Sequence, residues 1–314
     1  MRNIKHLGKL ISIFCVVTLA VGCGDVSVRP NDTVSSDHPA NDSFLSGTKP
    51  DIKIPNASGK LVKDNKYASI DYSNCSEGYV FVSYFGSSPK VKMRITGPDS
   101  VTYTYDFGNC QDSFPLTAGS GKYKVEVFEI IEGTEYSTVF SASFNADIND
   151  EMSVFLYPSH MVAFDASGTA VKKADEFYDE SSSELELIDK ILDYVTSNVS
   201  YDCELAETAT GSYIPNADNT IARGKGICSD YATLMTVMLR SQGIPARLEV
   251  GYADDAYHEW LSIHTNEYGW VRNLLEFDGE KWVLTDPTFI DNMGNKAYKK
   301  LIGEGNIYTV KYIY

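Results

Sequence analysis

The sequence predicts an α+β chain in two folded parts, a β-sandwich followed by a mixed helix-and-strand domain. Three observations carry this. Residues 60–147 hold short runs dense in Val, Thr, Tyr and Phe, divided by turn signals such as Gly97-Pro98-Asp99 and Gly119-Ser120-Gly121. From about Val171 to Leu239 the apolar residues fall three and four apart, and after Arg247 the strand pattern returns. At 314 residues the chain exceeds one ordinary domain, and 43% hydrophobic with 22% charged residues is the composition of folded protein.

Before the folded parts comes an export segment. "MRNIKHLGK" carries Arg2, Lys5 and Lys9, and an apolar run from Leu10 to Gly22 follows, short for a bilayer span but suited to a secretory signal peptide over residues 1–22. The run ends in "LAVGC", Leu19 to Cys23, which resembles the lipobox of bacterial lipoproteins. That resemblance implies cleavage before Cys23, a diacylglycerol on its thiol, and a chain anchored to the extracytoplasmic face of the cell membrane. A plain signal peptide with an incidental cysteine is the alternative reading. Residues 23–55, rich in Ser, Asp, Asn and Pro without apolar periodicity, read as a flexible tether. With 43 acidic and 27 basic side chains, the net charge of −16 repels phosphate and excludes nucleic acid as a partner.

Residues 56–150 form the expected sandwich. In Lys122 to Val127, residues Tyr123, Val125 and Val127 share one face and Lys122, Lys124 and Glu126 the other, the mark of a half-buried antiparallel strand. Five or more such strands at this spacing argue for an immunoglobulin-like sandwich. Cys75 and Cys110 fall inside it, either joined as a disulfide or separate as two buried thiols.

Residues 151–314 form the second part. Ser183 with Glu186 makes a capping-box signature, and Leu185, Ile188, Ile191, Leu192, Val195 and Val199 follow at helical spacing. A loop leads to "GKGICSDYAT", where Gly224 and Gly226 allow a tight turn and Cys228 opens a helix carrying Tyr231, Leu234, Met235, Met238 and Leu239. Gly243 and Pro245 stop it. Strand-like runs follow at Arg247–Tyr252, His258–His264, Val271–Phe277 and Lys281–Asp286, with an Asp278-Gly279 turn between the last two. The C-terminal "GEGNIYTVKYIY" has strand character and closes the sheet or lies beside the site.

A cysteine at a helix start meets the positive end of the helix dipole, which favours thiolate. His258 at a strand start supplies a base and Asp286 at a strand end an orienting carboxylate, the order of nucleophile, base and orienter in acyl transfer. "GKGICSDYATLMTVMLRSQGIPARLEVGY", "YHEWLSI" and "WVLTDPTF" resemble the three core motifs of the transglutaminase-like superfamily, with a papain-like arrangement, over roughly residues 170–290. The resemblance implies Cys228 as thiolate nucleophile, His258 as general base then acid, and Asp286 as the carboxylate holding the imidazole. It implies no cofactor and a protein or peptide substrate at the cell surface. Glu259 stands where many members carry Ala, which bears on the charge of the pocket. Tyr201 and Tyr213 are candidates for a second oxyanion donor. Three other readings stand beside the enzyme: a binding module that keeps the fold without turnover, a metal site drawn from Cys203, Cys228, His258 and His264, and a Cys203–Cys228 disulfide that silences the thiol.

Overall fold

A computed structural model describes residues 49–108, 111–253, 256–277, 282–283 and 308–314. Its first part holds eight strands: β1 (Val62–Asp64), β2 (Ala68–Asp71), β3 (Tyr79–Tyr84), β4 (Val91–Thr96), β5 (Thr102–Asp106), β6 (Gln111–Pro115), β7 (Gly121–Glu132) and β8 (Glu135–Ala146). They form two antiparallel sheets of four strands, in the orders β1-β2-β3-β6 and β5-β4-β7-β8. Alternation decides what each strand buries. Tyr123, Val125 and Val127 of β7 are covered while Lys122 and Lys124 are not. Rings bridge the sheets: Tyr105 of β5 meets Phe114 of β6 edge-on at 4.9 Å. Cys75, in a short 3-10 turn (Cys75–Glu77), is a buried free thiol, and Cys110 lies outside the described residues.

The second part opens with α1 (Thr169–Glu180) and α2 (Glu184–Asn198). Ser183 caps α2 as its sequence requires, its Oγ accepting the Glu186 N–H at 3.2 Å. The reciprocal arm lands one residue earlier than a standard box, because the Glu186 carboxylate accepts from the N–H and Oγ of Ser182. Then come β9 (Ser200–Tyr201), α3 (Cys203–Thr208), α4 (Ala217–Arg223), β10 (Lys225–Gly226) and α5 (Cys228–Ser241). The remaining strands are β11 (Ala246–Ala253), β12 (Ala256–Thr265), β13 (Gly269–Phe277), β14 (Trp282–Val283) and β15 (Tyr308–Ile313). They pair as β14-β13-β12-β11-β15, so the C-terminal strand closes one edge of this sheet on β11. The run expected from Lys281 to Asp286 is described only at β14, and the Asp278-Gly279 turn lies outside the described residues.

Helix α5 is the centre of this part. Every residue from Ser229 to Ser241 is buried, because α1, α2 and α4 cover one side and β11 and β12 the other. The sheet face against it carries Ala246, Leu248, Val250, Leu261, Ile263 and Val271. Each Leu, Met or Val so enclosed contributes about 1.5–3 kcal/mol of burial free energy, which fixes the helix rigidly on the sheet.

The two parts touch through aromatic rings on β5 and β15. Tyr103 lies 5.3 Å from Tyr312 and 5.6 Å from Tyr314, and Tyr105 lies 5.9 Å from Tyr314. The end of the segment expected as a tether is seated on the second part: Lys49 pairs with Asp175, and Ile52 packs on the core. Residues 1–48, including Cys23, lie outside the described residues.

Arg240, near the end of α5, is 1% exposed and donates Nε to the Ala246 carbonyl, Nη1 to Tyr157 and Nη2 to Tyr314. Burial pulls its pKa down to about 9. These three carbonyls belong to three separate segments, so the guanidinium ties Tyr157, the start of β11 and Tyr314 to the end of α5. Arg240→Met removes three buried hydrogen bonds, leaving the Tyr314 carbonyl only its Leu248 N–H donor, and is expected to cost about 3 kcal/mol or more in a urea unfolding measurement, with Arg240→Lys recovering only part.

Candidate active site around Cys228

The turn before Cys228 is built from glycine. Gly224 ends α4 with φ 62°, and its N–H reaches the Thr220 and Ile221 carbonyls. Gly226 pairs with Tyr201 in the short parallel ladder of β9 and β10. A Cβ at Gly226 would sit 2.5 Å from the Cβ of Asp230, so no other residue fits there without moving the helix.

Asp230, in the first turn of α5, explains that close approach. Its Oδ2 accepts the Ile227 N–H at 3.0 Å, capping the helix. Its Oδ1 accepts from the hydroxyls of Tyr213 at 2.7 Å and Thr220 at 3.0 Å and from Arg223 Nη2 at 2.9 Å. A fully buried carboxylate is tolerable because both oxygens are so engaged and a guanidinium balances the charge. Tyr213, a candidate oxyanion donor in the sequence, is thus a strut on Asp230.

The Cys228 thiol is half-buried at the first residue of α5. The backbone N–H groups of Ser229 and Glu259 act on its sulfur and favour thiolate. They are outweighed. Burial first, then the Glu259 carboxylate and Asp230, push the thiol up to about 12. The helix terminus therefore does not by itself make thiolate here, because burial first and then Glu259, the residue that departs from the family pattern, oppose it. Burial, with Asp230 adding, raises Glu259 in turn to about 7.

The placement of Glu259 follows from strand alternation. In the β11–β12 register Glu259 faces Val250, His258 faces Gly251 and Trp260 faces Glu249. Tyr257 and Glu259 both act on Cys228, whereas His258 alternates to the other face of β12, its ring 6.4 Å from that of Trp260. That face is held by Glu249, whose Oε2 accepts from Trp260 Nε1 at 2.7 Å and Ser262 Oγ at 2.9 Å. Burial pulls the imidazole down to about 4, which keeps it neutral, and its Nε2 is buried without a hydrogen-bond partner. Among the described residues no hydrogen bond joins Cys228 Sγ to His258. The residue of β12 that acts on Cys228 is thus Glu259, and His258 is its neighbour in sequence on the opposite face of the strand. Asp286 lies outside the described residues.

Tyr201, the other oxyanion candidate, does belong to the site. Burial raises its hydroxyl to about 12, with the Cys228 and Cys203 thiols adding to the rise. Cys203 is exposed, and both thiols are free rather than joined. His264 sits 5.4 Å from the Trp270 ring, away from Cys228. Among the described residues no group of three or more His, Cys, Asp and Glu is arranged to hold a metal ion. The sequence reading missed the struts on Asp230 and the closeness of Glu259 and Tyr257; the second was available from the parity of β12 once Leu261 and Ile263 were assigned to the helix face.

A carboxyl whose folded pKa lies above its unfolded value binds more protons when folded, so its ionisation opposes folding as pH rises through that window. For Glu259 the window runs from 4.5 to about 7. Glu259→Gln is expected to match the parent in urea stability near pH 4 and to exceed it at pH 8; equal stability at both pH values contradicts the assignment.

The comparisons bear on this arrangement. Residues 171–274 match the family model of the Transglutaminase-like superfamily. No curated protein matches the chain. Similar solved structures include a candidate cysteine protease from Cytophaga hutchinsonii, at 17% identity and a TM-score of 0.35, covering 62% of this chain and 77% of that one. A candidate protease from Parabacteroides distasonis shows 14% identity and a TM-score of 0.29, covering 58% of this chain and 37% of that one. Red sea bream transglutaminase shows 15% identity and a TM-score of 0.26, covering 67% of this chain and 48% of that one. The family match alone carries the assignment: residues 171–274, which hold Cys228 and His258, are a transglutaminase-like domain.

Proposed function

We propose that the chain is a thiol enzyme that acts on amide bonds of protein or peptide, with Cys228 as nucleophile. The observation that carries this reading is the position of the sulfur at the first residue of α5, with the Ser229 and Glu259 N–H groups acting on it. Donors so placed stabilise negative charge on sulfur and on an oxyanion formed beside it. The thiolate attacks the amide carbonyl and forms a tetrahedral adduct. The adduct expels the amine, which takes a proton, and leaves an acyl thioester that water or a second amine resolves. His258 is assigned the base and then the acid, and Asp286 the carboxylate that orients it, on the resemblance of their motifs. Tyr201 is the second oxyanion donor in this reading, because its hydroxyl lies in the field of the thiol while that of Tyr213 is committed to Asp230.

The N-terminal two-sheet part is taken as an immunoglobulin-like domain that presents the second part away from the membrane, with Cys23 as the lipid anchor on the extracytoplasmic face. No helix among the described residues is long and apolar enough to cross a membrane. The protonated thiol and the imidazole on the far face of β12 favour a second reading, a binding module that keeps the fold without turnover.

Incubating the chain with surface proteins and a labelled amine separates the two. The enzyme reading expects new termini or incorporated label that Cys228→Ala abolishes, and Tyr201→Phe to cost about 3 kcal/mol of transition-state stabilisation in kcat/KM. No activity in the parent chain supports the binding module, and activity unchanged in Cys228→Ala rules out Cys228 as the nucleophile.

A further inference from the structure

The sheet face under α5 does not end where the helix does. Leu261 and Ile263 lie fully covered beneath it, Glu259 comes next beside the thiol, and Tyr257 lies beyond, 51% exposed. Tyr252, directly across the ladder on β11, is 38% exposed, and the two rings meet edge-on at 5.5 Å. Tyr312 of β15 falls on the same face, opposite Val250, and acts on Tyr257 as Cys228, Glu259 and Tyr252 do. The open side of the nucleophile is therefore a carboxyl ringed by tyrosine. Among the described residues no Lys or Arg pairs with Glu259, while Arg223 is committed to Asp230 and Lys225 to Asp202.

We infer that Glu259 with the Tyr252 and Tyr257 rings forms a seat for a cationic group of the substrate, an ammonium or guanidinium, and that filling this seat releases Cys228 to react. The inference rests on the reading that Cys228 is the nucleophile. A carboxylate attracts such a cation directly, and tyrosine faces attract it through their ring quadrupole. A chain of net charge −16 draws cations toward it from solution. Among the described residues the charged and titratable groups that face the thiol are Glu259 and Tyr257 from β12, Tyr201 from β9 and Asp230 from its own helix. Asp230 is already balanced by Arg223 and three other donors, so Glu259 is the charge a ligand can cancel. Once it is cancelled, the two N–H groups and the helix terminus act on the sulfur against burial and the balanced Asp230 alone, and the thiol pKa falls. A substrate lacking the cation finds the thiol protonated.

Alkylation reads this without turnover. The Cys228 thiolate displaces iodide from iodoacetamide to give a thioether, with the thiol proton passing to solvent, and peptide mapping separates this label from that on Cys203. With the full chain at pH 7, n-butylammonium chloride is expected to speed labelling of Cys228 saturably, by about tenfold for each pKa unit removed from the thiol. Sodium chloride at equal ionic strength and 1-butanol are expected to do nothing. Glu259→Gln is expected to label faster than the parent without any amine and to lose the response, and Tyr257→Leu to weaken it. No acceleration in the parent chain, or equal acceleration in Glu259→Gln, overturns the inference; the parent measurement stands even if a variant fails to fold. A chain that labels as expected yet neither cleaves nor transfers overturns the enzyme reading alone, and a chain that turns over while its labelling ignores the amine overturns this inference alone.

Discussion

The carboxylate of Asp230 is the constraint on which the site depends. It closes the first turn of α5 by accepting the Ile227 N–H, and it gathers Tyr213, Thr220 and Arg223 from the loop and helix that precede. Gly226 has to be glycine because Asp230 occupies the space a side chain would need. With the turn fixed from one side and α5 buried along its length from the other, Cys228 has no freedom of position. What the sulfur experiences is then decided by whatever β12 presents to it.

That presentation sets two opposing effects against each other. A helix N-terminus favours a nearby anion by roughly 0.3–1 kcal/mol, more where partly buried, and two N–H groups aimed at sulfur add to this. Burial of the thiol and an uncompensated carboxylate beside it work the other way and prevail. Glu259 itself shares the cost, held up to about 7 by burial and by Asp230, so thiol and carboxyl compete for one negative charge. A resting nucleophile that is protonated and guarded is compatible with life outside an assembled complex, where a free thiolate is open to oxidation.

Much of this was legible in the sequence. The spacing of Tyr231, Leu234, Met235, Met238 and Leu239 gave α5 as found, Gly243 adopts the left-handed conformation of a helix stop with φ 82°, and Ser183 caps α2. Short alternating runs marked the strands of both parts because half-buried sheets impose a period of two. Two things were not legible. The partners of Asp230 come from a loop and a short helix upstream, and hydrogen bonds of this kind leave no periodic trace. The facing of His258 depends on the register of β12, and a shift of one residue moves every side chain to the other face. Three residues in the right chain order could therefore mark a family without fixing which neighbour meets the sulfur.

The register of β12 against Cys228 is the claim on which both the resting state and the cation seat stand. Cysteine cross-linking measures it directly, by placing a new cysteine at 258 or 259 in a Cys75→Ala, Cys110→Ala, Cys203→Ala background, oxidising mildly and mapping the products. The structure predicts that Glu259→Cys bonds to Cys228 readily and that His258→Cys does not. Efficient bonding from position 258 and none from 259 would place the imidazole against the sulfur and contradict the account.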